Sequence, residues 1–302
     1  MAVSDQVLVD VPGLSIGHWT DQVARTGCTV ITFDHQTLTA VEVRGAAPGT
    51  RETDLLAPGR TVQRADALLL TGGSAFGLAA AGGIVEALRE QGRGYPTPAG
   101  PVPIVPGAVI YDLSHGVPVA PTAENGRRAL ESAAPVGEAS QGMVGVGTGA
   151  RWGSVTGQTR RGGLGIAQMT LDGHMVTAIV VLNAFGVLSD AGNDPRLPIV
   201  SGAPVAAGYG ESTTLMSIVV SVPCDHGTLT RLCVAAHDAL ARSVVPAHTL
   251  FDGDVAFAST LVEGTIDQAT QLRLCLATEL AMEAAIALAA HPDPETGDTL
   301  KL

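Results

Sequence analysis

Short apolar runs between turn residues dominate the first third of the chain. Residues 6–11, 29–33, 38–44 and 67–70 each predict a strand. A helix is expected over residues 74–91, with Ser74 as its N-cap and the Gly72-Gly73 pair making the tight turn before it. Proline and glycine crowd residues 95–107, which predict a loop. A short strand at 109–113 and a helix at 123–133 come next. Residues 142–186 alternate glycine-rich turns with apolar strands at 165–171 and 175–182. A strand at 215–222 precedes two long helices, 229–244 and 269–290, the second apolar enough to be buried.

This order is not a regular βαβ alternation. It predicts helices and sheets segregated into stacked layers rather than a doubly wound sheet or a barrel. The linker-like stretch is 189–211, rich in proline and glycine. It ends abruptly at the strand that begins near Leu215, and a division there gives pieces of ordinary domain size.

Composition narrows the function classes. In 302 residues, 46% are hydrophobic and 15% charged, and the net charge is −12. Mean hydropathy is +0.29. Such a chain is too apolar for disorder. An acidic balance without a basic cluster argues against nucleic acid and against anionic membranes, and for a small-molecule partner. The longest uncharged run, residues 67–85, is broken by Gly72-Gly73 and Gly82-Gly83, so strand, turn and helix is the expected reading. The start of the chain lacks a basic, then apolar, targeting pattern, and a cytoplasmic location is expected. Cys28, Cys224, Cys233 and Cys275 form no CxxC and no metal spacing with histidine. No metal or organic cofactor is expected.

Three local patterns are candidates for chemistry. Gly145-Val-Gly-Thr-Gly-Ala150 half-matches a dinucleotide fingerprint, but the next residues, Arg151-Trp-Gly-Ser-Val155, do not start a helix, so a pyrophosphate would find no dipole. Gly72-Gly-Ser-Ala-Phe-Gly77 does come after a strand and open a helix. Its backbone N–H groups at Gly73 and Ser74 could face an anionic group, or the glycines could serve tight packing. Phe251-Asp-Gly-Asp254 offers two carboxylates for a metal, an ammonium group or a nucleophile, and reads equally as a surface turn. Gly210-Glu-Ser-Thr-Thr214, alone, is an ordinary turn. No G-x-S-x-G elbow is present, and His18, His115 and His248 are read as structural hydrogen-bonders.

Taken together the motifs resemble a family. Val11-Pro-Gly-Leu-Ser-Ile-Gly-His18, Arg25-Thr-Gly-Cys-Thr-Val30, Val43-Arg-Gly-Ala-Ala-Pro-Gly-Thr-Arg-Glu-Thr-Asp54, Thr71-Gly-Gly-Ser-Ala-Phe-Gly-Leu78, Ile104-Val-Pro, Val109-Ile-Tyr-Asp112, Gly162-Gly-Leu-Gly165, Val181-Leu-Asn183 and His248-Thr-Leu-Phe-Asp-Gly-Asp254 occur in register. They are similar to the DmpA family of L-aminopeptidase/D-esterases, β-peptidyl aminopeptidases and nylon-oligomer hydrolases.

The resemblance implies an α/β fold, a four-layer α-β-β-α sandwich shared with ornithine acetyltransferase. It implies self-cleavage between Ser212 and Thr213 into an α piece (1–212) and a β piece (213–302), with Thr213 as N-terminal nucleophile. By the same carry-over, Asn183 stabilises the oxyanion and Tyr111 contacts the substrate. Of Asp252 and Asp254, one orients the Thr213 amine and the other holds a substrate ammonium. Gly73, Ser74 and Ser154 are candidate substrate-binding positions. Ser212 stands where many relatives have asparagine, and Ser154 where the nylon-hydrolase branch has lysine, which bears on the processing rate and the pocket charge.

The expected activity is amide hydrolysis on small peptides, amino-acid amides or ω-amino amides, by a homotetramer of αβ units. The competing expectations are an ornithine-type acyl transferase and an unprocessed, inactive small-molecule binder.

Overall fold

The computed structural model describes residues 7–114, 116–189, 194–202 and 212–292. Strand β1 (Leu14–Asp21) pairs antiparallel with β2 (Thr26–Val43), which runs for 18 residues. Then come β3 (Thr50–Arg51), β4 (Arg64–Thr71), the short α1 (Ser74–Gly77), α2 (Ala80–Glu90), β5 (Gly107–Val109), α3 (Ala123–Glu131) and β6 (Ala134–Pro135). The middle of the chain forms β7 (Arg151–Trp152), β8 (Arg160–Arg161), β9 (Leu164–Leu171), β10 (His174–Val181), β11 (Val187–Leu188) and α4 (Arg196–Val200). The last part supplies β12 (Leu215–Val220), α5 (His226–Ser243), β13 (Val244–Val245), β14 (Val255–Thr260) and α6 (Gln268–Ala290).

The main sheet has the order β3-β5-β4-β2-β14-β12-β10-β9, with β1 and β6 attached beside β2. Alternation along the strands sorts side chains into three cores. Cys28, Val30, Ala67 and Leu69 face α2 and α3. Ile31, Phe33, Leu68 and Leu70 point the other way and meet Ile166, Ile179, Val181 and Phe257 in a central core. Ala167, Ala178, Val180, Met216 and Ile218 face α5 and α6. Three cores separate four layers, α-β-β-α. Strand β2 belongs to both sheet layers: Val30 lies in the first core, and Leu38 and Ala40 in the third.

Helices α2 and α3 cross through small residues. A Cβ on Gly83 would strike the Ala123 carbonyl, and one on Gly126 the Ala80 carbonyl. Asp225 and Asp267 cap α5 and α6 by accepting from the N–H groups of Thr228 and Thr270.

Several expectations change in detail. Residues 7–11 form no strand, because the Val9 N–H and C=O bond instead to the Gln168 side chain, at 2.8 and 2.9 Å. The two strands expected at 29–33 and 38–44 are one strand whose register shifts between Thr32 and Thr37. The strand expected at 109–113 ends at Val109. The N-cap before α1 is Gly73, at φ +81°, not Ser74. Helix α6 is buried on one face only, and Leu272, Leu276 and Leu280 are exposed because nothing described covers its outer side. Most of the 189–211 stretch lies outside the described residues, as does His115. No described helix is long and apolar enough to cross a membrane.

Candidate active site

Three neighbouring strands set the geometry. Strand β12 runs antiparallel to β10, with Leu215 opposite Val181, and parallel to β14, with Leu215 beside Val255. Carrying those registers two residues past the ladder brings Asn183, Thr213 and Gly253 into one row. The hydrogen bonds bear this out. The Thr213 N–H donates to the Asn183 carbonyl at 2.5 Å, and the Gly253 N–H donates to the Ser212 carbonyl at 2.9 Å. Ser212 itself bridges Asp252.

The Thr213 hydroxyl also donates to the Ser212 carbonyl oxygen, at 2.7 Å. That oxygen therefore accepts from both Gly253 N–H and Thr213 O–H. If Thr213 Oγ1 adds to the Ser212 carbonyl carbon, negative charge develops where the Gly253 donor already points. Ser212 and Thr213 are both buried. The row requires glycine at 253: a Cβ there would lie 2.5 Å from the Ala47 carbonyl and 2.7 Å from Thr213 Oγ1.

Behind the row, Asp252 and Asp254 are each 1% exposed, so the surface-turn alternative does not hold. Asp252 Oδ1 accepts from the Phe185 N–H at 3.1 Å, and Oδ2 from the Thr249 N–H and hydroxyl at 2.9 and 2.6 Å. Burial, reinforced by the neighbouring Asp254 charge, pushes the Asp252 carboxyl up to about 6. Asp254 Oδ1 accepts from the Thr214 N–H at 2.8 Å, and Oδ2 sits 2.8 Å from His248 Nδ1. Burial opposes a charge on His248, but the Asp254 hydrogen bond and charge outweigh it and raise the imidazole above its ordinary value. The edge of His237 meets His248 at 4.9 Å between ring centroids. Burial pushes His237 down to about 4. Every carboxylate oxygen of the pair thus holds a protein donor, and the two acids fix the strand start and the loops beside Thr213.

Asn183 Oδ1 accepts from the Arg151 N–H at 3.0 Å. A backbone N–H can only donate, so the oxygen is fixed on that side and the amide NH2 turns the other way. Ser154 rides on a turn pinned by Gly153 N–H to Ala184 and Val155 N–H to Phe185, at 3.1 and 2.9 Å. Gly73 and Ser74 bond to the residues on either side of Tyr111. Gly73 donates to Asp112 Oδ1 at 2.7 Å, and Ser74 donates to the Ile110 carbonyl at 2.9 Å. Both N–H groups are therefore committed to the protein. Burial raises the Asp112 carboxyl. Sequence reasoning gave no role to Gly253 or Asp112, and none beyond structure to His248. No group of described side chains could hold a metal ion.

The arrangement sets the Thr213 hydroxyl against the Ser212 carbonyl, with a backbone carbonyl at the Thr213 nitrogen and a backbone donor at the Ser212 carbonyl oxygen. A family model described as Peptidase family S58 matches residues 6–291. An uncharacterized aminopeptidase of Mycobacterium leprae is 43% identical over 206 residues, 63% of this chain and 56% of the relative. A 6-aminohexanoate-oligomer endohydrolase of Kocuria sp. is 38% identical over 183 residues, 60% of this chain and 49% of the relative. The chain thus spans about half the length of these two relatives. The L-aminopeptidase D-Ala-esterase/amidase of Ochrobactrum anthropi, described as a variant of the Ntn hydrolase fold, superposes with a TM-score of 0.70. It shares 18% identity and covers 93% of this chain and 86% of its own, a likeness of fold. Matched along nearly its whole length, the chain belongs to peptidase family S58.

Proposed function

We propose that the protein is a self-processing amide hydrolase, an aminopeptidase in the broad sense, whose nucleophile is the hydroxyl of an N-terminal Thr213. The observation that carries the reading is the placement of Thr213 between the Asn183 carbonyl and the Gly253 N–H. In the uncut chain, Thr213 Oγ1 adds to the Ser212 carbonyl carbon, the Ser212–Thr213 C–N bond breaks, and water hydrolyses the resulting ester. Ser212 keeps the carboxylate and Thr213 gains a free amine. That amine, with a pKa near ~8, then serves as the base for its own hydroxyl. Substrate amides take the same course through an acyl-Thr213 intermediate, with the Asn183 amide and the Gly253 N–H as oxyanion donors.

The test is intact mass with N-terminal sequencing of wild type and Thr213→Ala. Scaling the 30.6 kDa chain by length gives pieces of roughly 21 and 9 kDa, the smaller beginning at Thr213. Thr213→Ala is expected to stay whole and to lose turnover. A variant that is still cut or still active overturns the reading. A transferase would be revealed by acyl transfer to added glutamate in preference to water.

A further inference from the structure

Close to the nucleophile lies a feature that the hydrolytic mechanism leaves unused. The ribbon of β7 and β8 places Arg151 directly opposite Arg161 in an antiparallel pair. Like charges at such positions repel each other, and sheets ordinarily avoid them. A third cation, Arg25, joins them around a recess of about 160 Å3 that Gln22 and Thr148 also line. No carboxylate among the described residues pairs with any of the three arginines. The Arg151 guanidinium donates to the Thr159 hydroxyl, and that of Arg161 to the Met143 sulfur. The acid behind Gly149, Asp112, is held by Gly73. Burial, with the charges of Arg25 and Arg161, pulls the Arg151 guanidinium below its ordinary value. In a chain of net charge −12, three uncompensated guanidinium groups around one recess are out of keeping with the rest of the surface.

The recess is tied to the nucleophile through two hydrogen bonds. The Arg151 N–H holds the Asn183 side chain at 3.0 Å, and the Asn183 carbonyl holds the Thr213 N–H at 2.5 Å. At about 30 Å3 per water, the recess has room for roughly five waters, which suits a carboxylate and a short stem. Guanidinium groups match carboxylate oxygens in pairs.

We propose that Arg25, Arg151 and Arg161 form a carboxylate subsite that takes the free carboxylate end of the substrate, so that the enzyme prefers short peptides or amino-acid oligomers ending in a free acid to the corresponding amides. This specificity rests on the reading of Thr213 as an amide-hydrolysing nucleophile; the anion site itself does not.

The experiment compares a dipeptide with its C-terminal amide. Wild type is expected to favour the free acid by about 10-fold or more in kcat/KM, mainly through KM. Arg25→Gln and Arg161→Gln are expected to collapse that ratio, and Arg161→Lys to restore part of it. Arg160→Gln, whose guanidinium stacks on Trp152 at 5.1 Å instead, is expected to keep it. In parallel, calorimetry on the Thr213→Ala chain measures binding of the same two ligands without turnover. If neither ligand is hydrolysed by wild type, the hydrolase reading fails. A binding preference for the acid that Arg161→Gln removes would still support the subsite. Equal binding of acid and amide, or a preference that survives both Arg→Gln changes, overturns the subsite whether or not the enzyme turns over.

Discussion

Asp252 carries an electrostatic penalty that its neighbours only partly relieve. Three donors satisfy its oxygens, yet burial and the adjacent Asp254 charge push its carboxyl up to about 6. A carboxyl whose folded pKa lies above its unfolded value binds its proton more tightly in the fold. Its contribution to stability is therefore complete below the ordinary carboxylate range and is lost as pH climbs through about 6. Asp252→Asn removes that titration and also turns an amide NH2 toward the Thr249 or Phe185 donor. The stability of wild type relative to Asp252→Asn, measured by urea unfolding, should fall between about pH 4 and about pH 7. A difference that stays flat would reject the assignment. The Asp254 charge that helps to raise Asp252 also raises His248, so the two shifts share one cause. Little of this was legible locally. Asp-Gly-Asp alone could have been a solvated turn, and its burial comes from strand pairing with residues about 40 positions earlier. Only the longer run of family motifs pointed to it. The sequence presents His248 as a structural hydrogen-bonder, and it does bond Asp254, but no local signal ties that bond to the start of strand β12.

Among the elements, the site depends on register. Asn183, Thr213 and Gly253 meet because β10, β12 and β14 are neighbours and each runs just far enough. Gly253→Ala tests the row. Its Cβ would crowd the Ala47 carbonyl and Thr213 Oγ1, so the loop must shift and carry the Gly253 donor away from the Ser212 oxygen. Loss of one such donor corresponds to about 10²- to 10³-fold in rate, and processing monitored by gel should slow on that scale. Cleavage at the wild-type rate would remove Gly253 from the mechanism. At this scale the sequence was readable where periodicity is strong: β9, β10, β12, α5 and α6 lie close to their expected ranges. It misled where a strand breaks its own pattern. Asp34, His35 and Gln36 look like a turn between two strands, but β2 carries them outward at an irregularity and continues. Residues 7–11 form a short apolar run like that of a strand, yet Gln168 takes the bonds that a partner strand would have made.

Across the whole molecule, the layer order comes from alternation alone once the helices are placed, and segregated helices and sheets were legible in the chain. What no pattern revealed was that β2 passes through both sheet layers, because pairing with β4 at one end and β14 at the other is set by distant segments. The sheet order also interleaves the two sides of the proposed cut. Strands β12 and β14 come after it, yet they lie between β10 and β2, which precede it. Cleavage would sever a covalent chain without opening either ladder. The product is then a heterodimer whose subunits folded as a single polypeptide, and its unfolding changes molecularity: one particle becomes two. The melting temperature of the processed protein should rise with protein concentration, while that of uncut Thr213→Ala should not. An equal, concentration-independent melting temperature for both would mean that the fragments part only after the fold has been lost irreversibly. On the proposed reading, cutting would remove the return path: a molecule that unfolds after cleavage would have to find its other half by diffusion before it could act again.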